Sequence, residues 1–383
     1  MVREAQHRAR MTMIFHGRFP GEKAAALFAA KSAEAFASKG IAVELLAPRR
    51  IDRVRTSPAE VYGVKANFKV TYLPIIDLFS IPIIRVIAYP VSIFTYAISV
   101  FCAIYFTRRK YTVLYSNEAI PLLPLSRIAE HVIYEIHDFP QKMLWLYRML
   151  FKCVTRIIAT NTWKRDQLVA RFGVRDDQIL VEQNAVDVVL FGGLSAHEAR
   201  TRLGLKLDTQ YVIYTGQLYS WKGVDTLALA IEKIPNVVGV FVGGVGEDLK
   251  RFKKDWENSA NIRIVGQVPY RDIPLWQAAA DVLVLPNTAR EEISVHYTSP
   301  MKLFEYLATQ KPIVASDLPS VREVAGDDVL WFAKPDDPES FVHAIHQALD
   351  NHNEAVEKSI RGRTRAEYHS WRKRAERILQ VIL

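Results

Sequence analysis

The 383 residues suffice for two domains with cores of ordinary size, which excludes a peptide, a short toxin or a lone binding module. Half are hydrophobic and 24% are charged, the composition of a packed globular protein rather than of a disordered or collagenous chain. Fifty Lys plus Arg against forty-one Asp plus Glu leave a net charge of +9, which suits an anionic partner: nucleic acid, a phosphorylated substrate or an acidic lipid surface.

Several Arg precede the short apolar run Met11–Phe15, which His16, Gly17 and Arg18 end before it reaches the length of a signal-peptide core, so secretion is not expected. The run reads as a strand. A loop with Gly17, Pro20 and Gly21 follows, then an Ala-rich helix from about Ala24 to Lys39, ended by Gly40, and a second apolar strand over Ile41–Ala47; together they form a βαβ unit. Further strands are expected at Phe68–Tyr72, Tyr111–Tyr115, Val132–Ile136, Arg156–Thr160 and Ile179–Glu182, with helical stretches between several of them. This alternation implies a parallel sheet.

After a polar stretch near Leu190–Arg202, a second series places strands at Tyr211–Tyr214, Val237–Val242, Ile262–Val265, Val282–Leu285 and Pro312–Ala315. Two such series predict an α/β protein of two Rossmann-like domains facing a central cleft, with ligands beyond the carboxyl ends of the strands. The implied boundaries are 1–187 for an N-terminal domain, 188–365 for a C-terminal one, and a basic helical segment 366–383, with Trp371, directed back towards the first. Cys102 and Cys153 stand in apolar contexts without a CxxC pair or a histidine cluster, which supports neither a disulfide framework nor a zinc site and fits a reduced, cytosolic setting.

Val86–Phe106 carries no charge and is long enough for a bilayer. A span would split one sheet across the membrane, and Pro90 disfavours a single straight helix. The expectation is a hairpin of helices, buried or facing a membrane, within an apolar segment 76–106. Arg85 before it and Arg108, Arg109 and Lys110 after it suit acidic headgroups. Lys142–Arg156 interleaves Trp145, Tyr147 and Phe151 with Arg148 and Lys152, and reads equally as a core helix with solvated charges or as an interfacial one.

The stretch Ser299-Pro300-Met301-Lys302-Leu303-Phe304-Glu305-Tyr306 has the pattern of a helix start, with Ser299 as N-cap and Pro300 at the first helical position. Such a start offers backbone amides and a positive dipole end to a phosphate. Glu305, further along that helix, could then accept hydrogen bonds from both hydroxyls of a ribose. In isolation the stretch reads more simply as a capped surface helix with a solvated Glu. Gly216-Gln217-Leu218-Tyr219-Ser220-Trp221-Lys222-Gly223 follows the first strand of the second series and brings Lys222 to its carboxyl end, a point charge for a diphosphate. Gly243-Gly244-Val245-Gly246 lacks the GxGxxG spacing and reads as a tight strand-to-helix turn.

On these residues the second half of the chain resembles the donor domain of family 4 glycosyltransferases, retaining enzymes of GT-B architecture that use nucleotide-diphosphate sugars. The resemblance runs from about Gln210 to Trp371 and is strongest in YTGQLYSWKG and SPMKLFEYLATQKPIVASD. Weaker echoes occur at Phe19-Pro20-Gly21-Glu22-Lys23, Glu135-Ile136-His137-Asp138 and Asn184-Ala185-Val186-Asp187. It implies that Lys222 contacts the donor diphosphate and Glu305 the ribose. Gly216 and Gln217 share that site, and the stretch Ser299, Pro300, Met301 and Lys302 offers backbone amides. The loop Gly266 to Val268 would line the base, and Gly21 would admit the backbone close to diphosphate and acceptor. His137 would touch the transferred sugar, completing a catalytic set with Lys222 and Glu305, while Glu22, Lys23 and Asp138 fall on the acceptor side. Asn184 and Asp187 read more simply as shaping a turn into the linker.

Two departures stand out. Many relatives carry a Glu eight residues before the ribose-binding one, where this chain has Tyr297, and Glu291 and Glu292 lie too far back. Relatives also commonly place an Arg where this chain has Gln217, which leaves more of the phosphate charge to Lys222. The implied reaction is a metal-independent transfer of a sugar, with retention, from a nucleotide-diphosphate sugar as co-substrate to a carbohydrate or lipid-linked acceptor, without a further cofactor. A nucleotide-sugar epimerase of the same architecture and a non-enzymatic basic binding protein remain as alternatives. Lys and Arg after Glu354 alternate with apolar residues as on a solvated helix face, which does not favour nucleic acid as a partner. The setting is cytoplasmic, with a peripheral position on the inner face of the cell membrane left open.

Overall fold

The computed structural model describes residues 9–21, 23–51, 56–79, 84–106, 113–126 and 128–383. Two compact units result. The first runs to Glu182 and takes in Trp371–Leu383; the second is Gln183–Ser370.

In the first unit the strands are β1 (Arg10–Ile14), β2 (Ala42–Arg49), β3 (Lys69–Pro74), β4 (Val113–Ser116), β5 (His131–Ile136), β6 (Arg156–Ala159) and β7 (Ile179–Val181). They pair in parallel in the order β3-β2-β1-β4-β5-β6-β7. Helices cover both faces, so the central strands β4 and β5 are buried almost throughout. The order reverses between β1 and β4, which makes the carboxyl ends of those two strands the natural crevice. The helix Ala24–Ala37 buries most of its residues, its alanines allowing close approach to the sheet.

Arg85–Phe106 forms one helix of 22 residues, not the expected hairpin. Pro90 is tolerated because it stands near the helix start, where its missing N–H forfeits only the bond to the Val86 carbonyl. The faces differ sharply. Ala88, Ser92, Ile93, Tyr96, Val100 and Ile104 are buried at helical spacing, whereas Ile87, Phe94, Ile98 and Tyr105 are at least half exposed. Tyr96 donates from its hydroxyl to Leu46 O (2.7 Å) and Phe15 O (3.1 Å), tying the inner face to the sheet. This is the one helix among the described residues long and apolar enough to cross a membrane. Its inner face is core of the first unit.

The helix Trp371–Ile382 packs on Ala24–Ala37. Trp371, Arg374, Ala375, Ile378, Leu379 and Ile382 form its buried face, at the spacing of a single helical stripe.

The second unit contains β8 (Gln210–Thr215), β9 (Val237–Val242), β10 (Ile262–Gly266), β11 (Val282–Leu285), β12 (Ile313–Ser316) and β13 (Trp331–Ala333), all parallel in the order β10-β9-β8-β11-β12-β13. Its switch point lies between β8 and β11. One apolar cluster fills each face of the sheet. Strand β13 has no counterpart in the sequence reading, since three residues at a sheet edge leave almost no periodicity.

Candidate functional site

At the switch point of the second unit, β8 ends on Gly216 (φ 137°), whose N–H donates to Val242 O (2.8 Å), and Gly243 N–H donates to Gly266 O (2.7 Å). A Cβ on Gly243 would collide with Gly216 O, so the ends of β8, β9 and β10 lie backbone against backbone. The run Gly243-Gly244-Val245-Gly246 thus serves packing and turning. The chain then turns through Ser220–Lys222 to Gly223, where a Cβ would strike Pro286 O just after β11. Thr288 N–H donates to Trp221 O (3.3 Å), completing the contact between the two strand-end loops.

Lys222 places its Nζ 3.6 Å over the Trp221 ring, which stacks with Tyr219. No carboxylate pairs with it among the described residues, and burial pulls its ammonium down to about 7. Close by, Lys302 holds its Nζ 3.8 Å over the Tyr214 ring and has no hydrogen-bond partner among the described residues. A Cβ on Gly216 would lie 2.5 Å from that nitrogen. Burial, then the charge of Lys222, push the Lys302 ammonium well below its usual range, with Glu305 opposing. Two amines without an ion-pair partner among the described residues therefore share the β8 end of the sheet, the half-buried Lys222 and Lys302 with its buried Nζ, beside Gln217, whose Oε1 is also buried and unpartnered. Lys302 lacks the partner that a buried cation normally requires.

Lys302 enters through the first turn of the helix Met301–Ala308. Here the expected start is corrected. Pro300, with extended ψ, occupies the N-cap position, and Ser299 lies outside the helix without capping it. Asn184 holds Ser299 instead: its backbone N–H reaches Ser299 Oγ (3.4 Å) and its side-chain amide donates to Ser299 O. Asp187 caps the short helix Val188–Phe191 by accepting from Leu190 N–H (3.1 Å). A single π-turn, Ile293–Tyr297, precedes the stretch and carries Tyr297.

Glu305 is buried, and both its oxygens are engaged. Tyr270 donates from its hydroxyl to Oε1 (3.1 Å) and Gln277 from Nε2 to Oε2 (3.3 Å). Burial raises its carboxyl, against the pull of Tyr270, Gln277 and Lys302. Each oxygen retains a lone pair for a further donor. Gly266 (φ 82°) ends β10 and Val268 packs half-buried against the core, close in sequence to Tyr270. Tyr270, Gln277 and the Lys302 side chain escaped the sequence reading. For Lys302 a signal existed, since it precedes Glu305 by three residues and so shares its helix face.

The first unit has its own crevice at the β1/β4 switch point, lined by Phe15, Ala25, Phe28, Ser116, Asn117 and His137. His137 follows β5; its ring meets Phe28 edge-on at 4.5 Å, and its Nε2 lies 3.2 Å from Oε1 of Glu135. Asp138 and Lys23 are exposed and line no part of this crevice. Glu22, Arg108, Arg109 and Lys110 lie outside the described residues. Gly21 exchanges two hydrogen bonds with the Tyr62 hydroxyl, and a Cβ there would lie 2.5 Å from Arg18 O. No group of His, Cys, Asp and Glu able to hold a metal ion occurs among the described residues.

Two doubly wound parallel sheets, each with its own switch point, are the GT-B architecture, and solved structures of that class superpose on nearly the whole chain. Sucrose-phosphate synthase from Thermosynechococcus elongatus matches with a TM-score of 0.78 at 18% identity over 98% of both chains. Anabaena Alr3699/HepE, solved in complex with UDP and glucose, matches with a TM-score of 0.74 at 17% identity over 98% of this chain and 99% of that one. Residues 195–365, most of the second unit, match the family model of glycosyl transferases group 1. Among curated proteins, D-inositol 3-phosphate glycosyltransferase 1 of Catenulispora acidiphila is 23% identical over 242 residues, 59% of this chain and 56% of that protein. The putative teichuronic acid biosynthesis glycosyltransferase TuaC of Bacillus subtilis is 30% identical over 149 residues, 39% of this chain and 35% of that protein. The chain therefore spans about half, or less, of the length of these relatives.

Proposed function

We propose that the protein is a retaining glycosyltransferase that moves a sugar from a nucleotide-diphosphate sugar to an acceptor hydroxyl. The observation that carries this reading is the pair Lys222 and Lys302, two amines without an ion-pair partner among the described residues, that of Lys302 buried, at the switch point of the second unit and within the residues that match the group 1 model. A diphosphate supplies the charge they lack, and the amides at the start of Met301–Ala308 add to its binding. Lys302 thereby takes the place that an Arg at Gln217 would fill, by its side chain rather than by its amide alone. In the transfer, the bond from the anomeric carbon to the phosphate oxygen breaks with its electron pair left on the diphosphate. The acceptor oxygen bonds to the same face and passes its proton to the departing phosphate oxygen. The two lysines stabilise the charge that develops on the leaving group, which is the larger part of the barrier reduction in such a scheme. No metal ion is required by it. Glu305 takes the ribose hydroxyls as additional donors, with Tyr270 and Gln277 holding it in place, and Gly266 and Val268 flank the base. In the crevice of the first unit His137 meets a hydroxyl of the sugar.

The acceptor is carbohydrate or lipid-linked, and the protein docks on an anionic membrane surface from the cytoplasmic side. Support comes from the exposed apolar face of Arg85–Phe106 and from Leu144–Cys153, where exposed Trp145 and Met149 alternate with exposed Arg148 and Lys152.

Lys222→Ala tests the reading. Turnover should fall roughly 100- to 1,000-fold, as when one preorganised charge is removed from a transition state. The melting temperature should hold or rise, because the lost amine has no ion-pair partner to leave behind. The assay is run in a chelator, with products analysed with and without acceptor. Near-normal turnover of the variant removes Lys222 from the mechanism, and a rearranged free sugar formed without acceptor indicates epimerisation instead.

A further inference from the structure

We infer that Glu135 is a positioning residue for His137, and that the last helix of the chain takes part in the sugar site by holding Glu135 through Arg374; this rests on the reading of His137 as a sugar-facing group. Glu135 lies on the central strand β5 with no exposure at all, among apolar neighbours where a carboxylate is costly. Three donors converge on it: Arg374 Nη2 (2.7 Å), the Tyr115 hydroxyl and His137 Nε2 (3.2 Å). Of these, His137 and Tyr115 line the crevice, while Arg374 reaches in from Trp371–Ile382.

Docking of that helix does not need the buried pair. Its apolar stripe packs on Ala24–Ala37, and Arg377 grips Glu182 through both nitrogens (2.6 and 2.8 Å). A buried ion pair contributes little net stability compared with apolar groups of similar size. What the pair does provide is chemical. Burial alone would raise the Glu135 carboxyl, but Arg374, with His137 and Tyr115, holds it at about 2. An ionised carboxylate facing Nε2 requires that nitrogen to carry its hydrogen. Nδ1, which has no partner among the described residues, is then left as the acceptor for a ligand hydroxyl. The edge-on Phe28 ring and the carboxylate together fix the ring plane.

The test is the double variant Glu135→Leu/Arg374→Met, which removes both charges without leaving either partner orphaned. Nitrogen-15 spectra of the histidines, with His137 assigned by difference against His137→Gln, should show the Nε2–H tautomer in the wild type and its loss in the double variant. The turnover number should drop by about 10- to 100-fold, as for other outer partners of an active histidine. The donor KM should change less than about threefold, since the lysine pair is untouched. Glu135→Gln, which keeps an accepting oxygen towards Nε2, should retain the tautomer and recover most of the turnover, and it serves alone if the double variant does not fold. Persistence of the tautomer in the double variant, or equal turnover in Glu135→Gln and the double variant, overturns the inference. The spectra need no substrate. Failure of the wild type to transfer sugar would therefore overturn the glycosyltransferase reading while the tautomer result still decides the positioning role.

Discussion

His16 closes β1 with its ring between Tyr89 and Tyr96, at 5.6 and 5.3 Å, and its Nε2 2.9 Å from Ser92 Oγ. Burial, then the Arg50 charge, pull its pKa down to about 4. A histidine depressed in the folded state takes its proton in the unfolded chain first, so stability is lost as pH falls from 6.5 towards 4. The full effect is about 3 kcal/mol, from 1.36 kcal/mol per unit. His16→Gln, which keeps a partner for Ser92, should lose that part of the acid slope in thermal melts against pH; parallel curves for the two proteins would contradict it. Loop position and helix spacing single out Lys222 and Glu305 in the sequence, whereas His137 is singled out only by the resemblance. The sequence is silent on what surrounds them. Glu135 and Arg374 meet across 239 positions and Glu305 and Tyr270 across 35, pairings that no local periodicity encodes.

The helix Arg85–Phe106 illustrates the element scale. Its apolar run is legible, but whether Pro90 breaks it depends on where the helix starts, which composition does not specify. Ser299 shows the converse: a Ser-Pro pair has the right residues for a cap, yet Asn184 captures the serine and the helix begins later. Strand β13 is too short to carry a pattern. The outer face of Arg85–Phe106, with Phe94 65% and Ile98 50% exposed, is apolar where solvent would favour charge. The protein should therefore sediment with vesicles containing phosphatidylglycerol and not with neutral ones. Phe94→Glu/Ile98→Glu should abolish that binding with little change in melting temperature, since both side chains lie outside the core. Equal sedimentation of variant and wild type would contradict the docking surface.

At the scale of the molecule, the alternation of strand and helix predicts two parallel α/β units, while the strand orders, and with them the two switch points, follow only from the tertiary structure. One switch point gathers Lys222 and Lys302, the other His137. On the proposed function, the lysine pair binds a nucleoside diphosphate. Calorimetric titration of UDP, GDP and ADP, each in turn, into the wild type and Lys222→Met/Lys302→Met tests it directly. One of the three should bind the wild type at one site and bind the folded double variant at least about 100-fold more weakly, a loss of about 2.7 kcal/mol. Equal affinity for both proteins, or no binding of any of the three to the wild type, would contradict it.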